Sequence, residues 1–300
     1  MKVMVIYGRA PDKNANQLIK VSKELGYNTI PASIMDLSAS IESDGSHFFI
    51  KDKEIPTLEV CFLRSLGPGT HEQLTRRINL LEHLELSGTF VMNPVYAFRR
   101  ARDKYATMYT LAKAGLPIPE TLITENALQA YRFAKRAMQI VHKPMIGSMG
   151  YGAMKFEDPD LAYNAFRLLE RINQPIYVQK YLKKPGKDIR AFVVGNRVLA
   201  AIHRIAPQGQ WKTNIAQGGK SEAFKLSPNL EKLAIKATKA LKLEYAGVDL
   251  VETEKGPVIL EMNSSPSWQS LQQATGINVA ERLVKYATEK VKRLNKKRRA

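Results

Sequence analysis

The first ninety-odd residues alternate short apolar runs with longer amphipathic stretches, and this order constrains the fold more than any other feature of the chain. Alternating strands and helices are typical of a parallel sheet with helices on its faces. We therefore predict a Rossmann-like α/β domain at the N-terminus. Its predicted strands are 3–7, 28–34, 59–63 and 90–93, its predicted helices are 14–25 and 74–86, and 48–51 add a small hairpin.

Two further modules follow the N-terminal one. Residues 99–104 open a helix that stops at Gly115, with Pro117 and Pro119 beyond it. The next predicted elements are strands 120–124, 140–143 and 176–179 and helices 126–138 and 161–172. The last module is mostly antiparallel, with strands 188–194, 197–204, 245–252 and 257–263 and a helix at 229–241. The fold class is α/β with α+β lobes, and the predicted domains are 1–97, 98–180 and 181–286, followed by a basic tail at 287–300.

The composition is that of an ordinary globular protein, with 44% hydrophobic and 25% charged residues. Cys61 is the only cysteine and lies in an apolar run, so an internal disulfide is excluded and a buried thiol is expected. The first apolar run is too short for a signal peptide or a membrane span. We therefore expect a cytoplasmic protein without a membrane partner.

The net charge of +18 is unevenly spread along the chain. Residues 285–299 hold eight lysines and arginines against Glu289 alone, which accounts for +7 and leaves +11 for the rest. The basic end is either a dock for a ribosome or an acidic protein, or a solvated helix end. The remaining positive charge favours anionic substrates.

A pair of apolar runs at 245–252 and 257–266 predicts a β-hairpin. With 254–256 as a three-residue loop, Thr253 faces Pro257, and counting outward places Asp249 opposite Glu261.

Asn263 lies two residues beyond Glu261 and therefore points to the same face of the strand. The three oxygen-bearing side chains, including Asp249, suit a hard cation such as Mg²⁺ or Mn²⁺. The alternative is the polar outer face of a surface hairpin.

Lys143 ends a predicted strand and is followed by a glycine-rich segment at 147–152. Glycines let backbone N–H groups approach phosphate oxygens, and the ammonium adds a positive charge. The order differs from the Walker pattern, in which lysine follows the loop. A flexible surface hairpin is the alternative.

Asp188 and Arg190 point to one face of a predicted strand, and Arg204 ends the neighbouring strand. The arginines either form a structural salt-bridge ladder with carboxylates or neutralise a transferring phosphoryl group.

The order of these segments resembles the ATP-grasp ligases, and within them the RimK-like α-L-glutamate ligases. The resemblance covers nearly the whole chain apart from its basic end. It is carried by Asp103-Lys104, Lys143-Pro144 with the glycine loop, Gly186-Lys187-Asp188-Ile189-Arg190, Arg204, Asn214 and Asp249 with Glu261-Met262-Asn263.

The resemblance implies an ATP site and a site for two Mg²⁺ or Mn²⁺ ions. The implied phosphate ligands are Lys104 and Lys143 with the loop residues Gly147, Ser148, Gly150 and Gly152. Backbone groups of Gln179 and Lys180 would contact adenine, and Asp188 would be the polar partner near the ribose. Lys212, Thr213 and Asn214 would line the nucleotide and acyl-phosphate region, Asp249, Glu261 and Asn263 would bind the metal ions, and Arg190 and Arg204 would be catalytic.

The implied reaction joins L-glutamate to a small acidic acceptor through an acyl phosphate, with release of ADP and phosphate. The resemblance favours a tetrahydromethanopterin-type cofactor as the acceptor. The alternative is a RimK-type modification of a ribosomal or carrier protein. The family also implies a homo-oligomer.

Overall fold

The structure, a computed structural model, describes residues 1–145, 147 and 149–299. The predicted ATP contact of Ser148 therefore lies outside the described residues. Within the described ranges, no helix combines the length and apolar character that crossing a membrane requires.

The N-terminal part contains a four-stranded parallel sheet, as predicted. In chain order its elements are β1 (Lys2–Tyr7), α1 (Lys13–Glu24), β2 (Asn28–Ser33), β3 (Leu37–Glu42), β4 (Gly45–Ile50), β5 (Lys53–Glu54), β6 (Val60–Leu63), α2 (His71–Leu86) and β7 (Phe90–Met92). The parallel sheet has the order β2-β1-β6-β7. Cys61 lies in its core, as expected from the sequence.

The predicted small hairpin at 48–51 is larger than expected. Strands β3, β4 and β5 form a separate three-stranded antiparallel sheet. The prediction missed β3, although its apolar positions alternate with serines as in a half-buried strand. Its central residues are serines and an alanine, which have little preference for strands.

The central part begins with two helices where one was predicted. Its elements are α3 (Val95–Arg102), α4 (Lys104–Lys113), β8 (Thr121–Thr124), α5 (Ala127–Ala137), β9 (Ile140–His142), β10 (Met154–Phe156), α6 (Pro159–Arg171) and β11 (Ile176–Lys180). Asp103 has an extended backbone, and its carboxylate accepts the N–H of Ala106 at 2.9 Å. The helix predicted to open at 99–104 is therefore interrupted, because Asp103 ends α3 and caps α4.

The central sheet is antiparallel and has the order β10-β9-β11-β8. The C-terminal part adds β12 (Lys187–Val194), β13 (Arg197–Ile205), β14 (Lys220–Ala223), α7 (Pro228–Ala240), β15 (Tyr245–Thr253), β16 (Gly256–Asn263), α8 (Gln269–Thr275) and α9 (Val279–Arg299). Its antiparallel sheet has the order β14-β13-β12-β15-β16. Residues 287–299, predicted as a basic tail, form the second half of α9, and Val291 in that half is buried.

The predicted pairing of Asp249 with Glu261 is confirmed, although the predicted loop is wrong. Thr253 pairs with Gly256, so the hairpin loop has two residues and the register near the loop is shifted by one. A β-bulge restores the predicted register further along, because Leu250 pairs with Ile259 and Leu260 is the extra residue.

Two buried side chains join the N-terminal sheet to the end of this hairpin. The Asn93 amide donates to the carbonyls of Tyr245 and Ser264 at 2.9 and 2.6 Å. The guanidinium of Arg64 donates to Pro266 O at 3.2 Å and lies 4.6 Å from the ring of Trp268. The N-terminal sheet is thereby held against the end of the strand that carries two of the predicted metal ligands.

Candidate functional site

One cavity lies between the central and C-terminal sheets, and most of the predicted site residues line it. Those on its wall are Lys104, Lys143, Gly147, Gly150, Gln179, Lys180, Asp188, Arg204, Lys212, Thr213, Asn214, Asp249 and Glu261. Arg190 and Asn263 line an adjoining cavity instead. Gly152 shapes the glycine loop, where its φ of +72° is a conformation that other residues rarely adopt.

Lys143 is held in place by a directed chain of hydrogen bonds. Its Nζ donates to Gln179 Oε1 at 2.7 Å, and Gln179 Nε2 donates to Thr121 Oγ1 at 3.1 Å. The Thr121 hydroxyl donates its own hydrogen to Pro119 O at 2.8 Å, so it can only accept from Gln179. This order orients the amide of Gln179 with its oxygen toward the lysine.

Burial lowers the pKa of Lys143, while the negative charge of Glu261 raises it. The Gln179 oxygen gives the buried ammonium a polar contact without neutralising its charge. Lys143 is therefore a positive group on the cavity wall that is available to an anionic ligand.

Lys104 comes from the first turn of α4, just after the capping residue Asp103. Its Nζ donates to Gly147 O at 3.1 Å and lies 3.9 Å from Glu261 Oε1. The lysine thus connects the glycine loop to the predicted metal strand.

Asp249 is 3% exposed and is bound by both predicted catalytic arginines. Arg190 donates through Nε and Nη2 to its two carboxylate oxygens, and the Nη2–Oδ2 distance is 2.9 Å. Arg204 Nη2 also lies 2.9 Å from Asp249 Oδ2. The salt-bridge ladder between arginines and carboxylates, one of the two interpretations of the sequence, is thus present.

Asp188 extends this ladder on the neighbouring strand. Its Oδ1 accepts from Arg204 Nε at 2.7 Å, and its Oδ2 accepts from Lys184 Nζ at 3.1 Å and from the Thr213 hydroxyl. Burial by itself would raise the pKa of Asp188, but the charges of Arg204 and Lys184 outweigh it and hold the pKa at about 2.

The depressed pKa of Asp188 predicts a specific loss of stability in acid. Its ordinary pKa is 3.8, so its ionised pairing stabilises the fold fully above about pH 4, and this contribution is lost as the pH falls through 2. The ionised Asp188 contributes on the order of 2 kcal/mol to the free energy of unfolding, and wild type loses this contribution between pH 4 and pH 2. We expect Asp188→Asn to lack it at every pH. Urea unfolding at several pH values checks this. Asp52→Asn, at an exposed aspartate, is the control. If the difference in free energy of unfolding between wild type and Asp188→Asn stays constant from pH 4 to pH 2, the assignment is contradicted.

The glycine loop lies directly against the segment after β13. Lys212 Nζ donates to Gly150 O at 3.1 Å. A Cβ at Gly150 would lie 2.6 Å from Asn214 Oδ1, and the φ of Gly150 is +75°. A larger residue at this position would displace the Asn214 side chain and would be strained by the positive φ, so the local geometry favours glycine here.

The residues near the predicted adenine contact differ from those expected. Lys180 N–H already donates to Glu120 O at 2.9 Å, and Lys180 Nζ lies 2.9 Å from the Glu120 carboxylate. The next residue, Tyr181, meets Trp211 edge to face at a centroid distance of 6.3 Å, and both line the cavity. The sequence prediction missed these two aromatic side chains, since neither belongs to a polar motif.

Lys184 is a third residue that the sequence prediction missed. It contacts both Asp188 and Thr213 Oγ1, the latter at 3.1 Å. The only sequence signal is its position four residues before Asp188 in a lysine- and proline-containing loop.

The predicted metal ligands are compatible with Mg²⁺ or Mn²⁺. Asp249 and Glu261 face one cavity from neighbouring strands, and with Asn263 they supply only oxygen ligands. Three arginine hydrogens occupy Asp249, and a carboxylate has about four lone-pair directions, so one on Oδ1 stays available. Asn263 faces the adjoining cavity, and its Nδ2 lies 3.5 Å from Gly247 O.

Comparison with known proteins assigns the family. A profile of the RimK-like ATP-grasp domain matches residues 101–287. The chain belongs to the RimK-like ATP-grasp family. The tetrahydromethanopterin:alpha-L-glutamate ligase of Methanosarcina acetivorans is 31% identical over 92% of this chain and 95% of its own length. A probable alpha-L-glutamate ligase of Haemophilus influenzae is 35% identical over 69% of this chain and 70% of its own length.

Solved structures confirm the α/β ATP-grasp fold. The ligase PsnB, complexed with a minimal precursor, Mg and ADP, matches 97% of this chain and 98% of its own with a TM-score of 0.75 and 21% identity. The RimK domain ATP-grasp protein of Sphaerobacter thermophilus matches 95% of this chain and 99% of its own with a TM-score of 0.71 and 21% identity. Together with the family, these similarities make this chain an ATP-dependent ligase that forms C–N bonds.

Proposed function

We propose that this RimK-like ATP-grasp protein uses ATP and two Mg²⁺ or Mn²⁺ ions to join the α-amine of L-glutamate to a carboxylate of a tetrahydromethanopterin-type cofactor. The relative from Methanosarcina acetivorans, whose name states this activity, supports the choice of acceptor. The proposed reaction uses ATP and glutamate, which are metabolites of the cytoplasm, and we therefore place it there.

One observation carries the proposal. A single cavity brings Lys104, Lys143 and Arg204 together with Asp249 and Glu261. Positive side chains suit the phosphates of ATP, and carboxylates suit the cations that accompany them.

Tyr181 and Trp211 give the cavity wall an aromatic section that is suited to a flat base. Lys143 is close to Lys104 and Glu261, so the triphosphate would extend from the aromatic residues toward this group. Lys212 and the glycine loop would cover the phosphates.

The first step forms an acyl phosphate. A carboxylate oxygen of the acceptor attacks the γ-phosphorus of ATP, and the bond from that phosphorus to the bridging oxygen breaks to release ADP. Lys104, Lys143 and Arg204 would neutralise charge on the phosphoryl oxygens, where one fixed donor is worth about 3 kcal/mol of barrier. When bound, the divalent ions supply further charge neutralisation on the phosphates.

The second step forms the amide. The α-amine of glutamate attacks the acyl carbon, the C–N bond forms, and the C–O bond to phosphate breaks, so that inorganic phosphate leaves and the nitrogen loses its proton. Phosphorylation is needed because oxide is a poor leaving group from a carboxylate. No nucleophilic side chain takes part.

The test is incubation of the purified protein with ATP, Mg²⁺, L-glutamate and tetrahydromethanopterin. We expect the pterin to gain the mass of one or more glutamyl residues, with one ADP formed for each residue added. A heavy oxygen isotope in the acceptor carboxylate should appear in the released phosphate, because the acyl phosphate transfers that oxygen. Omission of glutamate is the control.

Other results would contradict the proposal in distinct ways. Glutamate addition in cell extract to a ribosomal or carrier protein, with none to the pterin, would assign the alternative function. A pterin product without labelled phosphate would contradict the acyl-phosphate route. The contact with a ribosome or an acidic protein and the homo-oligomer stay predictions.

A further inference from the structure

A second cavity lies on the other side of Glu261 and reaches the N-terminal domain. It is enclosed by the loop after β6, the end of α3 and the end of β16, and its polar wall includes Arg64, Arg102, Lys104, Ser264 and Ser265. Lys104 and Glu261 line both this cavity and the nucleotide cavity. The two cavities therefore meet at the residues proposed to hold the reacting phosphate.

Arg102 differs from the other arginine of this cavity. Both Nη atoms of Arg64 have acceptors, the Tyr245 hydroxyl at 3.1 Å and Pro266 O, and the guanidinium lies over Trp268; only its buried Nε lacks a partner among the described residues. Arg102 has no acidic partner and no hydrogen-bond acceptor among the residues that the structure describes. Within the described ranges, its one close aromatic contact is with Phe98, whose ring centroid lies 5.9 Å from the guanidinium carbon.

The environment of Arg102 favours an anionic ligand. The side chain is half-buried, and burial lowers its pKa. A positive charge that is partly removed from water without a counter-charge is unfavourable, and a ligand carboxylate would relieve this by a two-pronged contact. A guanidinium binds a carboxylate better than an ammonium does, because its N–H donors form a planar fork that matches the two carboxylate oxygens.

We infer that Arg102 binds a second carboxylate of the acceptor, while a first carboxylate of the same molecule lies beside Lys104 and Glu261 for phosphorylation. This inference rests on the proposed function and makes the acceptor a molecule with at least two carboxylates. Arg102 is then a specificity-determining residue for the acceptor, separate from the ATP site.

The test compares Arg102→Gln and Arg102→Lys with Arg99→Gln. Arg99 lies on the same helix, is exposed and lines neither cavity, so it is a matched control. With tetrahydromethanopterin as the acceptor, we expect Arg102→Gln to raise the acceptor KM about 10- to 100-fold, the range for loss of a charged hydrogen bond. The KM values for ATP and glutamate should be unchanged, and Arg102→Lys should give an intermediate acceptor KM. Thermal unfolding shows whether each variant is folded.

Three outcomes overturn the inference: an unchanged acceptor KM in Arg102→Gln, an equal increase in Arg99→Gln, or an increase in the KM for glutamate alone. If the wild-type protein does not modify tetrahydromethanopterin, the proposed acceptor is contradicted. The role of Arg102 is then tested by a second measurement, the binding of a simple dicarboxylate. Glutarate, a simple dicarboxylate, is titrated calorimetrically into the protein saturated with ADP and Mg²⁺. Binding that Arg102→Gln loses and Arg99→Gln keeps supports the inference, whereas equal binding by the two variants, or none by wild type, overturns it.

Discussion

Asp249→Asn is expected to reduce ADP formation that depends on acceptor and glutamate by at least about 100-fold and to destabilise the fold. The replacement removes a proposed metal ligand. It also removes the negative charge that pairs with Arg190 and Arg204, and breaking a buried ion pair from one side costs about 3–5 kcal/mol. An ADP assay and urea unfolding measure the two effects.

Glu252→Gln is the matched control for this substitution. Glu252 lies on the same strand as Asp249 and is exposed, so the same change of charge should alter neither activity nor stability measurably. Full activity in Asp249→Asn contradicts its role in the reaction. Reduced stability with full activity would show that the ladder is only structural.

Lys143→Met is expected to lower kcat/KM for ATP by about 100-fold or more. Methionine keeps the apolar contacts of the side chain but removes the ammonium, and a charged donor to phosphate is worth about 3 kcal/mol. Gln179→Leu should have a smaller effect in the same direction, because it keeps the charge of Lys143 but removes the oxygen that orients it. Steady-state kinetics with varied ATP measures both.

The control for Lys143→Met is Lys113→Met, at an exposed lysine at the end of α4. We expect wild-type kinetics from this variant. If Lys143→Met has an unchanged KM and kcat for ATP, the lysine does not contact the phosphates. If Gln179→Leu has the wild-type kcat/KM for ATP while Lys143→Met has a strongly reduced one, the hydrogen-bond chain through Gln179 is not needed to orient the lysine.

The hairpin shows how far sequence patterns reach at the centre of the site. Alternation of side chains along a strand is a local property, so the shared face of Glu261 and Asn263 is readable from the sequence. The two-residue loop and the bulge at Leu260 were not predicted. Their effects on the register cancel, which is why Asp249 still faces Glu261.

Gln179 shows where local patterns are insufficient. The sequence places it at a strand end, where the family resemblance suggests a backbone contact with adenine. In the structure its side chain is 2% exposed and orients Lys143. Its partners, just after β9 and at the start of β8, are 36 and 58 residues away in the chain, and no local pattern specifies which side chains meet across a sheet.

The sequence by itself determined the α/β order of the elements, the hairpin with its carboxylates and the segments that carry the family resemblance. These depend on hydrophobic period, on glycine and on short motifs, which are local. Only the tertiary structure showed that Asp249 binds both arginines, that Lys184 and two aromatic residues join the cavity, and that Arg102 faces a second one. These contacts join distant segments, and their energies depend on burial and on the charges that packing brings together.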